Sequence, residues 1–195
     1  EPDVEINSPN SRLVISPIRN WYVSAGGNDA TGDGTEGNPY QTITKAMSGA
    51  SAGDTINIAA GTYAETVVIT QNNISLIGAD SSATIIDPPG NASTANLYGI
   101  YASNKNNIKI SGLRITDCFY GIYFNNVDTS IIDAVKIDLC GNAGSNAAGI
   151  YLYNGSCSST IRNSQIYNNA YGIRLANSSN YNLMTNNIVD SNYKD

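Results

Sequence analysis

The chain has 195 residues, only 13% of them charged, and a formal net charge of -6; that length points to one domain, two at most, and the 41% hydrophobic content supplies a core. It contains no histidine, which excludes Ser-His-Asp and Cys-His catalysis and every His-containing zinc site. No Lys/Arg cluster marks a nucleic-acid partner, and no apolar run reaches the roughly 18 residues of a membrane helix.

Asn is over-represented at 27 residues, beside 18 Gly, 13 Tyr and only 2 Phe. Such a chain needs many tight turns, and its aromatic side chains are ones that tolerate water. The first residues are Glu1-Pro2-Asp3 rather than Met, as in a processed mature chain or one prepared without its natural start, and no signal peptide is visible in the sequence given. Three cysteines, an odd number, suggest in a secreted protein one internal bridge and a thiol left for another chain. An extracellular or cell-surface location is expected.

Residues 1–20 read as an extension. Within it, Asp3 to Ile18 carries Val4-Glu5-Ile6 and Leu13-Val14-Ile15, a possible strand for docking on a neighbour. Residues 21–195 read as one domain. Trp21-Tyr22-Val23-Ser24 is a strand, followed by a Gly/Asn/Asp loop from Gly26 to Asn38. About 42–50 a short amphipathic helix is predicted, with Ile43, Ala46, Met47 and Ala50 on one face and Thr42 as cap. It could plug the open end of the repeats that begin beyond it.

The remainder of the chain is repetitive. Gly99-Ile100-Tyr101, Gly121-Ile122-Tyr123, Gly149-Ile150-Tyr151 and Gly172-Ile173-Arg174 recur at spacings of 22, 28 and 23 residues, the long gap holding one insertion around Gly141 to Asn146. Ile110, Ile132, Ile161 and Met184 fall in one column of the same alignment. Each repeat offers about three short alternating strands between Asn, Gly and Ser turns. Strands this short coil, each pairing in parallel with its equivalent one turn later. The predicted fold is all-β, a parallel β-helix of about six coils from Thr55 onward, on the order of 30 Å long at ~4.8 Å per coil. All six prolines lie at or before Pro89, clear of strands that must hydrogen-bond on both sides.

Tyr22-Val23-Ser24, Asn38-Pro39-Tyr40-Gln41-Thr42-Ile43, Gly53-Asp54-Thr55-Ile56 and Gly61-Thr62-Tyr63-Ala64-Glu65 resemble the opening segment of the pectin-lyase-like superfamily of right-handed β-helices. The resemblance covers most of the chain after residue 20. It implies a right-handed solenoid, and it implies little about activity, since this fold serves polysaccharide lyases, hydrolases, epimerases and non-catalytic surface proteins. The Asn- and Tyr-rich coils also resemble in style the surface-layer and sheath proteins of methanogenic archaea.

Lyases of this superfamily pair calcium-binding carboxylates with a Lys or Arg base on neighbouring coils. The matching constellation here is Arg114, Lys136 and Asp138, although the column continues as Gln165 and no carboxylate column spans three coils. A hydrolase would need paired carboxylates, and no such pair repeats. Asp29 and Asp33 lie in a loop of calcium-binding composition that is also the ordinary loop before the helix. A structural calcium ion is the one cofactor these residues suggest.

Tyr101, Tyr123 and Tyr151 each follow an inward Ile, so their rings face outward in a ladder ending at Arg174. Three uses remain open for it: glycan stacking, a protein interface, or internal stiffening. Cys118 and Cys140 share a column at a separation a disulfide accepts, while Cys157 sits at another corner. They are candidates for a crosslink, between chains or within one, or are small, reduced, half-buried residues. Sequons begin at Asn73, Asn91, Asn154 and Asn177. Turn residues such as Asn125, Asn154 and Asn177 are expected to stack as an amide ladder.

Two functions fit these residues. The first is a secreted structural protein, not an enzyme, that self-assembles with its own copies into a layer, sheath or fibre by edge-strand pairing. The second is a carbohydrate-active protein, a polysaccharide lyase or glycan-binding module, whose partner is a cell-surface polysaccharide.

Overall fold

The computed structural model describes residues 17–142 and 145–194. Strand β1 (Asn20–Val23) and helix α1 (Ile43–Gly49) precede a repeated three-strand unit. The first coil is β2 (Thr55–Ile58), β3 (Gly61–Tyr63) and β4 (Val67–Ile69), and the second is β5 (Ser75–Gly78), β6 (Thr84–Ile86) and β7 (Tyr98–Asn106). The third is β8 (Lys109–Ser111), β9 (Arg114–Thr116) and β10 (Tyr120–Asp128), and the fourth is β11 (Ile131–Asp133), β12 (Lys136–Asp138) and β13 (Ala148–Tyr153). The fifth is β14 (Thr160–Arg162), β15 (Gln165–Tyr167) and β16 (Ile173–Leu175), and β17 (Leu183–Thr185) and β18 (Ile188–Asp190) begin a sixth.

Every strand pairs in parallel with its equivalent one coil away, so three sheets run along the axis. The first sheet is β1-β2-β5-β8-β11-β14-β17, the second β3-β6-β9-β12-β15-β18 and the third β4-β7-β10-β13-β16. The expected all-β solenoid of about six coils with an N-terminal cap is the fold observed.

The core is a set of stacked columns. Ile56, Leu76, Ile110, Ile132 and Ile161 line the first sheet; Ile86, Ile115, Ile137 and Ile166 line the second; and Ile100, Ile122 and Ile150 line the third, all buried. Each such side chain contributes roughly 1.5–3 kcal/mol through burial. The glycine of the repeat has a packing cause. A Cβ at Gly121 would lie 2.6 Å from Ile137 Cγ2, and one at Gly149 2.7 Å from Ile166 Cγ2. The third sheet approaches the second-sheet isoleucines too closely for any side chain there.

Helix α1 lies over the first coil and buries Ile43, Ala46 and Met47. Thr42 Oγ1 accepts the Lys45 N–H at 3.1 Å, and the Glu65 carboxylate accepts the Ile43 and Thr44 N–H groups at 2.8 Å each, satisfying donors left free at a helix start. The buried Asp54 carboxylate accepts the Arg19 N–H (2.8 Å), the Ser51 N–H (2.9 Å) and Trp21 Nε1–H (2.9 Å), tying β1 to the first coil. Burial works to raise the Asp54 pKa, but these donors hold it below the usual carboxylate value.

The corners explain the asparagines. Asn104, Asn126, Asn154, Asn163, Asn168 and Asn186 all adopt left-handed backbone, with φ between 52° and 57°, which Asn tolerates better than most residues. Other corner side chains accept backbone N–H groups from the preceding coil. Asn169 Oδ1 accepts from Cys140 (2.9 Å), Asn192 Oδ1 from Asn169 (3.0 Å) and Asn182 Oδ1 from Ser159 (2.9 Å). In the last coil Met184 and Val189 continue the inward columns, yet they are 40% and 48% exposed, because no described residue stacks on them. Most of the proposed docking strand, residues 1–16, lies outside the described residues, as do positions 143 and 144 of the insertion.

Candidate functional site

Two outward faces carry chemistry. On the third sheet, Tyr98 and Tyr120 are in register, as are Tyr101, Tyr123, Tyr151 and Arg174. Tyr171 follows Ala148 in the first of these columns, through the bond from the Gly149 N–H to its carbonyl. An isolated parallel bridge then pairs Tyr171 with Lys194. The two columns therefore read Tyr98–Tyr120–Ala148–Tyr171–Lys194 and Tyr101–Tyr123–Tyr151–Arg174, with Tyr153 beside the second.

The rings stack on one another. Centroids are 5.8 Å apart at 12° for Tyr98–Tyr120, 5.0 Å at 19° for Tyr120–Tyr123 and 5.2 Å at 28° for Tyr123–Tyr151. Nearly parallel rings this close must be offset stacks, since edge-to-edge neighbours would clash. Their faces are covered by each other, so what meets solvent is ring edges and phenol hydroxyls. Tyr98 Oη donates to Asn96 Oδ1 at 3.5 Å, whereas the hydroxyls of Tyr101, Tyr120, Tyr123, Tyr151 and Tyr153 have no protein partner among the described residues and are not enclosed. Crowding is strong enough that Tyr123 is pushed up to about 12, chiefly by burial and then by its tyrosine neighbours. Burial likewise raises Tyr98 and Tyr120.

Tyr101, Tyr123 and Tyr151 thus stand in register, and their rings stack on one another. The sequence reading missed the parallel column. Its signal was the longer repeat Tyr-Gly-Ile-Tyr at 98–101 and 120–123, with Tyr171 before Gly172 and Lys194 another 23 residues on.

On the second sheet, Arg114, Lys136 and Gln165 form one outward column, and Thr116, Asp138 and Tyr167 the next. Arg114 reaches diagonally across a coil: Nε donates to Asp138 Oδ1 at 3.1 Å and Nη2 to Oδ2 at 2.7 Å. Tyr167 Oη donates to the same Oδ2 at 3.1 Å, and Lys136 Nζ lies 5.4 Å from the Tyr167 ring centroid. The structure does bring the lyase candidates together, but it engages Arg114 and Asp138 with each other. The bond to Asp138 holds the guanidinium more firmly in its charged form. Burial, and then Asp117, push the Asp87 carboxyl up, with Arg114 partly offsetting them. Lys136 is the one member of the trio without an ion pair among the described residues.

The remaining candidates have structural partners. Asp29 Oδ1 accepts the Gln41 and Thr42 N–H groups (2.7 and 3.0 Å) and Oδ2 the Thr42 hydroxyl (2.7 Å), while Asp33 Oδ1 accepts the Thr35 N–H (3.0 Å) and hydroxyl (2.7 Å). These carboxylates organise the loop before α1 rather than converge on a common point. No group of three or more metal-ligating side chains occurs among the described residues. Cys118 and Cys140 stack as expected, with Sγ atoms 3.1 Å apart, but both are buried, free thiols, so neither reaches another chain. Burial pushes the Cys118 thiol well up. Half-buried Cys157 is also free; its Sγ accepts the Asn180 N–H and donates to the Ser178 carbonyl, each at 3.3 Å. Asn73, Asn91, Asn154 and Asn177 are all exposed. Asn154 Nδ2 bonds Asn125 Oδ1 at 3.1 Å and Asn126 Nδ2 bonds Asn104 Oδ1 at 2.8 Å; the amide ladder does not extend to Asn177.

Residues 56–195 match the family model described as the right-handed β-helix region. The chain belongs to that family. Among solved structures, this β-helix is similar to an alginate lyase from Paenibacillus sp., with 23% identity and a TM-score of 0.61 over 74% of this chain and 54% of the enzyme. A rhamnogalacturonan lyase matches at 12% identity and a TM-score of 0.49, covering 88% and 62% of the two chains. A pectin methylesterase from Erwinia chrysanthemi matches at 15% and 0.42, covering 78% and 56%. The chain spans about half the length of the alginate lyase it matches. At these identities what is shared is the fold, the right-handed β-helix. No curated protein matches the sequence.

Proposed function

We propose that this β-helix is a carbohydrate-active protein that holds a polysaccharide along its tyrosine face. The observation carrying this reading is the pair of in-register tyrosine columns, with Tyr153 beside them, whose five phenol hydroxyls lack protein partners among the described residues. One ring per coil repeats at ~4.8 Å, a spacing close to the length of one pyranose unit in an extended chain. Hydroxyls open to solvent can both donate to and accept from sugar hydroxyls. Ring edges supply apolar contact for sugar C–H groups. The fold, shared with an alginate lyase, supports the same reading over self-assembly, and two of the three cysteines are sealed in the core, away from any crosslink between chains. Such polymers are met outside the cell, where the protein is proposed to act.

Affinity electrophoresis through gels containing neutral and acidic polysaccharides tests the reading. The wild type should be retarded by at least one polymer, and Tyr123→Ala should lose most of that retardation while keeping its β-sheet spectrum. Equal mobility in every gel would refute it. A lyase activity is the second reading, favoured by Lys136, which stands beside Tyr167 without a carboxylate partner among the described residues. Release of unsaturated sugars that disappears with Lys136→Ala would establish it.

A further inference from the structure

Both tyrosine columns end in a cation. Arg174 lies 4.7 Å from the Tyr151 ring centroid and 5.2 Å from that of Tyr171, and Lys194 Nζ lies 4.8 Å from the Tyr171 centroid. Among the described residues each makes one hydrogen bond that fixes it: Arg174 Nη1 donates to the Asn146 carbonyl at 2.8 Å and Lys194 Nζ to the Ser145 carbonyl at 2.9 Å. Neither is ion-paired among the described residues. Two cations thus flank one tyrosine at half-exposed positions, where both are open to an anion from solvent. The carbonyls anchor the side chains and neutralise neither. Along the three coils before this point the columns contain only tyrosine and alanine, so the strip is neutral over most of its length and positive at one end.

We propose that Arg174 and Lys194 form an anion subsite at the end of the tyrosine strip, so that the ligand is a glycan mostly neutral along its length and carrying an isolated anionic substituent, a carboxylate or a sulfate ester. The inference rests on the glycan-binding reading above. Arg174 has Nε and Nη2 left to meet two oxygens of such a group, and Lys194 approaches as a point charge. A densely charged polyuronate fits less well, because its other carboxylates would lie over uncharged phenols in the field of a net-negative protein.

Binding is measured by affinity electrophoresis and calorimetry with the full chain. The probes are glucuronoxylan, κ-carrageenan, the carboxyl-reduced and desulfated forms of each, and polygalacturonate. Wild type should bind a charged polymer about tenfold more tightly than its neutralised form, the scale of one well-made hydrogen-bonded charge contact. Whether the carboxylated or the sulfated pair shows the difference assigns the anion, and either supports the proposal. The Arg174→Gln/Lys194→Gln variant should erase the difference without weakening the neutral form, Arg174→Lys should keep part of it, and Lys109→Gln, on another sheet, should change nothing. Neutral polymers binding as well as charged ones would overturn the anion subsite and leave the glycan-binding reading standing. So would a charge preference that survives the double variant, or tightest binding to polygalacturonate. If none of these polymers binds, both fall.

Discussion

Asp138 is the most informative residue to change, because it separates a structural lock from a catalytic group. Its side chain is 5% exposed and takes a bidentate hydrogen-bonded pair from Arg114, whose side chain is 28% exposed, plus the Tyr167 hydroxyl. Asp138→Asn conserves volume and one acceptor but removes the charge and turns one oxygen into a donor facing donors. Hydrogen bonds to charged groups are worth about 1.5–3 kcal/mol. Breaking a fully buried pair costs about 3–5 kcal/mol, but Arg114 can recover water on its open side. The expected destabilisation is therefore about 2 kcal/mol. In urea, with a slope of about 2 kcal/mol/M, that moves the midpoint down by about 1 M. Circular dichroism during urea unfolding reads it, and a cycle with Arg114→Met should show that the two losses are not additive. A midpoint within about 0.2 M of wild type, by the same slope, would refute the lock. If a lyase activity were lost at the same time, the pair would belong to catalysis instead.

Other consequences are open to direct measurement. Leu139 is 49% exposed at φ 58°, where the equivalent corner residues are Asp117 and Asn168; Leu139→Asn should stabilise by about 1 kcal/mol, read as a higher melting temperature, and a lower one would refute the strain argument. The Asp54 pKa is depressed in the folded state, so its contribution is present above the unfolded value of about 3.9 and is lost as the pH falls through the folded one. Melting temperature should drop in that acid window, and Asp54→Asn should lower it at neutral pH while flattening the acid slope; parallel curves would count against this. Tyr123 has the opposite sign, a folded pKa raised to about 12. Its stabilising protonated form is complete below the unfolded value of about 10 and is lost as pH climbs toward the folded value. Ultraviolet titration of the phenolates should show a late-ionising class that includes Tyr98 and Tyr120, and Tyr123→Phe should remove its last member. Ionisation of every tyrosine near pH 10 would show the ladder to be open.

Much of the architecture was legible because a solenoid repeats one environment. Each coil asks for the same residue at the same corner, so Gly99, Gly121, Gly149 and Gly172, or Ile110, Ile132 and Ile161, recur at a period readable from the chain. The helix from Ile43 to Gly49 was legible for a local reason, an apolar face of helical spacing behind a Thr cap. The Tyr101–Tyr123–Tyr151 column and the stacked cysteines arise from the same period. Tyr98, Tyr120 and Lys194 carried that signal too, in positions just before the repeat glycine.

Interactions that leave the column required the tertiary structure. Alignment puts Asp138 opposite Thr116, yet the carboxylate serves Arg114 from the neighbouring column, a diagonal that the long arginine side chain spans. The same alignment puts Cys118 over Cys140 without saying that both point into a sealed core, and composition makes Asp29 resemble a calcium ligand when its oxygens hold the start of a helix. Periodicity alone determined the coil, its core and which residues stack. Depth, orientation and the choice of partner across columns came only from packing, because they depend on how neighbouring sheets lean together and on which hydrogen-bond donors burial leaves within reach.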